Sequence, residues 1–132
     1  MASSIHSDAN QLVQVTAPAT VMTTTTNSDQ QSNLIKSRAR FLINVSAVSG
    51  TSPSLTINIQ AYNPAANTWK TVASTAAITA AGDYTFLLGF GVPSSVGAMD
   101  PAPLPITWRL NYDITGTTPS FTFGGVVAEC YY

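Results

Sequence analysis

The sequence predicts an all-β fold, a single antiparallel β-sandwich of about eight strands, jelly-roll-like or immunoglobulin-like. Three observations carry this. Several segments alternate apolar and polar residues with period two, the signature of a strand with one buried face. Thr and Ser, 18 and 14 residues, make up about a quarter of the chain, and β-branched Thr suits a pleated, half-buried surface. Eight Pro and eight Gly punctuate the chain at intervals, as expected for short strands joined by turns. Ala is abundant, but nowhere at helical spacing over three turns.

Residues 1–10 are polar and unpatterned and read as a loose tail. Residues 11–16 alternate weakly up to Pro18, and Thr20 to Thr26 is a second β-prone run. Residues 27–33 read as a polar loop. Segment 1–33 is therefore taken as an extended N-terminal segment and 34–132 as the β domain. Phe41, Ile43, Val45 and Ala47 share one strand face. Leu55, Ile57, Ile59 and Ala61 share another, ending at the turn Asn63-Pro64-Ala65-Ala66-Asn67. Trp69, Thr71 and Ala73 fall on one side of a short strand. Ala76 to Ala81 is ambiguous, and also suits a helical turn. Tyr84, Phe86 and Leu88 alternate again. A long loop, 89–105, ends in Pro101, Pro103 and Pro105, whose spacing favours an extended path; loops this long are often functional. Ile106, Trp108, Leu110, Tyr112 and Ile114 form the cleanest alternation, and Phe121 to Tyr132 the last strand. Gly124-Gly125 inside that strand predicts a bulge or a close backbone approach.

The charge balance excludes several functions. The 132 residues carry 5 Lys+Arg and 6 Asp+Glu, a net charge of −1. A nucleic-acid binder that neutralises phosphates needs clustered cations, and an anionic-membrane binder needs a polybasic face. No run approaches the ~20 apolar residues of a membrane span. Met1 to Ser4 shows no basic and apolar leader pattern, so no signal peptide is expected. A surface so poor in charge is unusual for a free monomer: either partners cover much of it, or the chain is a soluble monomer coated by Thr and Ser.

Catalytic chemistry finds little to work with. The only imidazole, His6, lies in the polar tail, where nothing holds a base near a nucleophile. Cys130 is the only cysteine, which excludes an internal disulfide, and it has no neighbouring ligands for a metal. Of the six carboxylates, only Asp83 and Asp113 suggest a pair, and glycosidase chemistry would need them about 5–9.5 Å apart. No phosphate-cradling or calcium-loop spacing occurs. The expectation is a non-enzymatic protein with no cofactor and no metal.

Three groups remain as contact candidates. Lys36, Arg38 and Arg40 share one strand face at i, i+2, i+4. They form either a stripe that docks on an acidic surface through Arg forks or gatekeepers on an edge strand. The proline loop (Pro101, Pro103, Pro105) is the second candidate, and segment 1–33 is the third. Tyr62, Trp69, Tyr84, Trp108, Tyr112, Tyr131 and Tyr132 could form a sugar-stacking face, although most fall on apolar strand faces where core packing accounts for them.

One decapeptide occurs twice. Val48-Ser-Gly-Thr-Ser-Pro-Ser-Leu-Thr-Ile57 returns 66 residues later as Ile114-Thr-Gly-Thr-Thr-Pro-Ser-Phe-Thr-Phe123, identical at five of ten positions. Each copy reads as strand, tight loop and returning strand, which would give two equivalent loop tips at one end of the molecule. Turn chemistry alone also accounts for it.

Around these loops the sequence resembles a group of small virion proteins of tailed bacteriophages. The similarity spans roughly residues 34–127. It comprises the Ser-Gly-Thr-Ser-Pro-Ser loop with the strand Leu55 to Gln60, the pair Thr68-Trp69, the segment Ala77 to Gly82, and the loop Ile114 to Phe121. Pro64-Ala65-Ala66 and the proline-rich loop 89–105 depart from the group's usual pattern. The resemblance implies a β-sandwich on the virion, most like head decoration (cement) proteins. It implies a partner in the major capsid protein, a homo-oligomer, typically a trimer, and a location on the capsid surface after synthesis in the host cytoplasm. A tail or neck structural protein, or a carbohydrate-binding module for a host glycan, are the alternatives.

Overall fold

The structure is a computed structural model that describes residues 10–14, 20–33, 37–89 and 103–131. The fold is all-β, with no helix among the described residues. Its strands are β1 (Asn10–Gln14), β2 (Val21–Met22), β3 (Thr26–Asn27), β4 (Gln31–Ser32), β5 (Arg38–Asn63), β6 (Thr68–Ser74), β7 (Gly82–Leu88) and β8 (Thr107–Tyr131). Hydrogen bonds join them into one antiparallel sheet, not two separate ones.

The sheet is built on a long ribbon. β5 and β8 pair antiparallel from Arg38↔Tyr131 to Ala61↔Trp108. A straight ribbon of that length would hold its ends roughly 70–80 Å apart at about 3.3 Å per residue. Here the ends meet. The Leu104 N–H, just before β8, donates to Ser37 O (2.9 Å), just before β5. The rings of Phe41 and Trp108, near opposite ends of the ribbon, lie 5.7 Å apart edge to face. The ribbon is therefore folded across its middle, and its two halves face each other.

In the first half, β7 pairs with β5 over Val45–Ala39 and β1 pairs with β8 over Val127–Tyr131. In the second half, β6 pairs with β5 over Asn58–Asn63, while β3 and β4 pair with β8. The inner faces form the core: Phe41, Ile43, Val45, Phe86, Leu88, Val126 and Ala128 on one side; Leu55, Ile57, Ile59, Leu110 and Tyr112 on the other. Their alternation in the sequence is what permits this, since period two places every second residue on one face.

The repeated decapeptide forms the crease. The two copies do not make separate hairpins. They lie inside β5 and β8 and pair with each other through Ser49↔Ser120, Thr51↔Thr117 and Ser54↔Thr115. Their backbones match: Gly50 and Gly116 have φ of 112° and 122°, Ser52 and Thr118 of 50° and 47°. These left-handed residues bend both strands at the same level, so the ribbon turns without losing its partner.

Three bulges outside the crease re-aim side chains. Val45 pairs with Phe123 but Ala47 with Thr122, so Ser46 is extra and Ala47, expected on the face of Val45, is exposed. Asn44 pairs with Gly125 but Val45 with Phe123, which leaves Gly124 as the extra residue. A Cβ at Gly124 would collide with Asn44 Oδ1, so bulge and close approach coincide as the sequence predicts. In β6, Ile59 pairs with Ala73 but Gln60 with Thr71. Val72 is the extra residue, so Trp69 and Thr71 point outward while Ala73 is buried; the expectation that the three share a side fails for that reason. Ala76 to Ala81 forms no helical turn; Ile78 bridges Leu55, and the chain bends at Ala80 and Ala81. Ile106, expected in line with Trp108, is 69% exposed because it precedes the strand.

Candidate functional site

Folding the ribbon leaves two outer faces, one on each half. On the first, Arg38, Arg40, Leu42 and Asn44 of β5 lie between the β8 residues Tyr131, Glu129, Val127 and Gly125 and the β7 residues Leu87, Thr85 and Asp83. β5 is an interior strand here, flanked by β7 and β8, so the edge-gatekeeper reading of the basic stripe fails. Arg40 is tied to Glu129 directly across the strands, with Nη2 to Oε1 at 2.6 Å and Nε to Oε1 at 2.7 Å. The Tyr131 hydroxyl donates to the same oxygen at 2.9 Å. That hydrogen bond, aided by Arg40, holds the Glu129 carboxyl below its usual pKa, and raises that of Tyr131. The Arg38 guanidinium lies 6.0 Å from the Tyr131 ring centre. Lys36 lies outside the described residues.

Beside this network, half-buried Leu42, Leu87 and Val127 form an apolar strip. It leads into a shallow depression of about 370 Å³, whose floor includes Leu42, Val127, Gly124 and Gly125 and whose rim includes Asn44 and Asp83. Asn44 Nδ2 donates to Asp83 Oδ1 at 2.5 Å. The glycine bulge opens the depression, because no side chain projects from positions 124 and 125.

Pro103 and Pro105 sit at the same end of the molecule as the basic stripe. The Leu104 N–H bonds Ser37 O, next to Arg38, and the buried Asn33 amide donates to Leu104 O (3.4 Å) and Pro105 O (3.2 Å). Pro103 is exposed and Pro105 half-buried. The structure thus brings parts of all three contact candidates together, Asn33 of segment 1–33 included, which sequence spacing alone could not reveal. Pro101 lies outside the described residues. In segment 1–33, the described strands β1 to β4 all pair with β8, along nearly its whole length.

The second outer face carries Arg109 and Asp113 and is dense in hydrogen bonds. A relay crosses four strands: Ser74 Oγ donates to Asn58 Oδ1 (2.6 Å), Asn58 Nδ2 to Asn111 Oδ1 (2.9 Å) and Asn111 Nδ2 to Asn27 Oδ1 (2.8 Å). One step along, Arg109 Nε donates to Gln60 Oε1 at 2.8 Å, and Gln60 Nε2 to Thr71 Oγ1 at 3.4 Å. The Arg109 guanidinium lies 4.3 Å from the Trp69 ring centre, and the Tyr62 ring packs against the same Trp69 at 5.2 Å, tilted 55°. The Tyr62 hydroxyl bonds Asn67 in the turn. Among the described residues no carboxylate lies within salt-bridge distance of Arg109. Partial desolvation draws its pKa down from the usual value, although a guanidinium stays charged at neutral pH.

The remaining aromatic candidates divide by face. Trp108 and Tyr112 are buried and serve the core. Tyr84 stacks on Phe86 at 6.3 Å and donates to Ala80 O. Tyr132 lies outside the described residues, as does His6. Asp83 and Asp113 do not meet: Asp83 bonds Asn44 on the first outer face, and Asp113 accepts from Thr25 Oγ1 (3.2 Å) on the second. Cys130 is buried. Among the described residues no three His, Cys, Asp or Glu side chains converge, and no helix is long and apolar enough to cross a membrane. Compared with models of known families, with curated proteins and with solved structures, the chain has no significant match.

Proposed function

We propose that the chain is a non-enzymatic virion protein, a head decoration protein that strengthens the shell by adhering to the major capsid protein and to copies of itself, as a trimer on the capsid surface. The observation that carries the reading is the first outer face. There an apolar strip of Leu42, Leu87 and Val127 adjoins Arg40, with Arg38 beyond it and Leu104 bonded to Ser37 at the end of the same strand. Apolar area gives adhesion at about 25 cal/mol per Å² before association costs, and the positive charge of Arg38 and Arg40 complements an acidic surface. The sequence resemblance to small virion proteins supports the same reading.

Co-sedimentation with phage heads that lack the protein tests it. The chain should pellet with heads and saturate at a fixed stoichiometry. Leu42→Glu, which alters the outer face without entering the core, should weaken binding at least tenfold. Light scattering of the free chain should show a trimer. A monomer that stays in the supernatant would overturn the reading, and binding to tails instead of heads would move it to the tail or neck.

A further inference from the structure

The second outer face plays no part in that reading, and its chemistry is of another kind. Arg109 is its only Arg, and its guanidinium is immobilised twice, by the Trp69 ring at 4.3 Å and by Gln60 Oε1 at 2.8 Å. The hydrogen bond uses Nε and leaves both terminal amino groups without a partner among the described residues. A planar fork of N–H donors so held is organised for a carboxylate. Stacking on an indole limits the rotamer freedom that an Arg side chain would otherwise lose on binding.

The surroundings narrow the ligand. Asn111 follows Arg109 on the same strand face, about 7 Å away at two residues' rise. It and Asn58 each bear a second amide N–H beyond those in the relay. Tyr62, half-buried, offers a ring surface beside the fork. Neutral amides, an aromatic ring and one cation unpaired among the described residues suit a hydroxyl-rich ring that bears a single negative charge. The carboxylates nearby, Asp113 two residues beyond Asn111 and exposed Asp29 on the edge beside β8, oppose a second one. They suit an apolar protein surface poorly, because the exposed groups here are polar.

We propose that Arg109, stacked on Trp69 and tethered to Gln60, binds the carboxylate of an acidic sugar, a hexuronic acid unit of a polysaccharide, with Asn111 and Asn58 meeting the ring hydroxyls. The site does not depend on the virion reading, because it lies on the opposite face and its test uses no capsid.

Titration of the ¹⁵N-labelled chain at low salt with a glucuronic acid disaccharide, followed by NMR, tests the proposal. Saturable shifts should appear at the Trp69 indole N–H, Arg109 Nε and Gln60, and lactose should bind at least tenfold more weakly. Arg109→Gln should weaken binding tenfold or more, and Arg109→Lys should not restore it, since an ammonium offers no planar fork. A spectrum of free Arg109→Gln that differs from the parent only at position 109 and its immediate neighbours shows that the loss is not misfolding. Equal binding of lactose and the uronide would overturn the proposal. Acetate or a glutamyl peptide binding as tightly as the uronide would overturn it in favour of a general carboxylate or protein site.

Discussion

Gly50 lies against Thr118, and its symmetry-related counterpart Gly116 lies against Ser52. A Cβ on Gly50 would stand 2.6 Å from Thr118 O, and one on Gly116 would stand 2.8 Å from Ser52 O. The two copies of the repeated decapeptide thus brace each other at the crease. Both contacts are with backbone, which cannot swing aside, and both glycines have positive φ. Gly50→Ala and Gly116→Ala should each cost about 2 kcal/mol or more, from steric overlap and from strain at φ > 0. The two costs should be similar, which urea denaturation can measure. Gly124→Ala should cost less, because the obstacle there is the movable end of the Asn44 side chain.

Thr118 offers the converse. A β-branched residue at φ 47° is strained. Thr118→Asn should stabilise the fold by about 1 kcal/mol, since Asn tolerates the left-handed region. The same denaturation measurement reads it, and a loss of stability would show that the Thr118 hydroxyl, which donates to Thr117 O, matters more than the strain.

Tyr112 carries a buried hydroxyl with no partner among the described residues, and burial raises its pKa. An unsatisfied buried polar group costs about 1–3 kcal/mol. Tyr112→Phe keeps the edge-to-face contact with Phe123, whose ring centre is 5.5 Å away. The variant should therefore be as stable as the parent or more so, and its thermal midpoint checks this.

Glu129 links stability to pH. Its folded pKa lies below the unfolded value, held there by the Tyr131 hydrogen bond and then by Arg40. Its contribution is therefore fully present above the unfolded pKa of about 4.3, and is lost as pH falls through the folded value. Between neutrality and pH 5, Glu129→Gln should be less stable than the parent by a constant margin. Below about pH 4 that margin should narrow. The contact is partly solvated, so the margin is small. Thermal melts across pH measure it.

Much of the fold was legible in the residues. Ile57 and Ile59, or Leu110 and Tyr112, announce their inner face by alternation alone, because a strand's geometry is local. Gly124-Gly125 announced a bulge for the same reason. The crease was not legible as such: a Gly-Thr-Ser-Pro loop gives the same local signal whether the chain returns beside itself or continues across a fold with a second copy at its side. Trp69 and Arg109 were also hidden. Their meeting depends on the extra residue Val72, which reverses the outward and inward pattern of β6, and nothing in Trp-Lys-Thr-Val-Ala distinguishes a bulge from a regular strand. Arg40 and Glu129 lie 89 residues apart, and only the pairing of β5 with β8 makes them neighbours.

The account rests on adhesion to a shell. Electron microscopy of virions, with and without the chain, tests that directly. Decoration predicts density for the folded ribbon in groups of three on the head, with the face bearing Leu42 and Arg40 turned toward the major capsid protein. Heads that look the same in both preparations, or density confined to the tail, would contradict it.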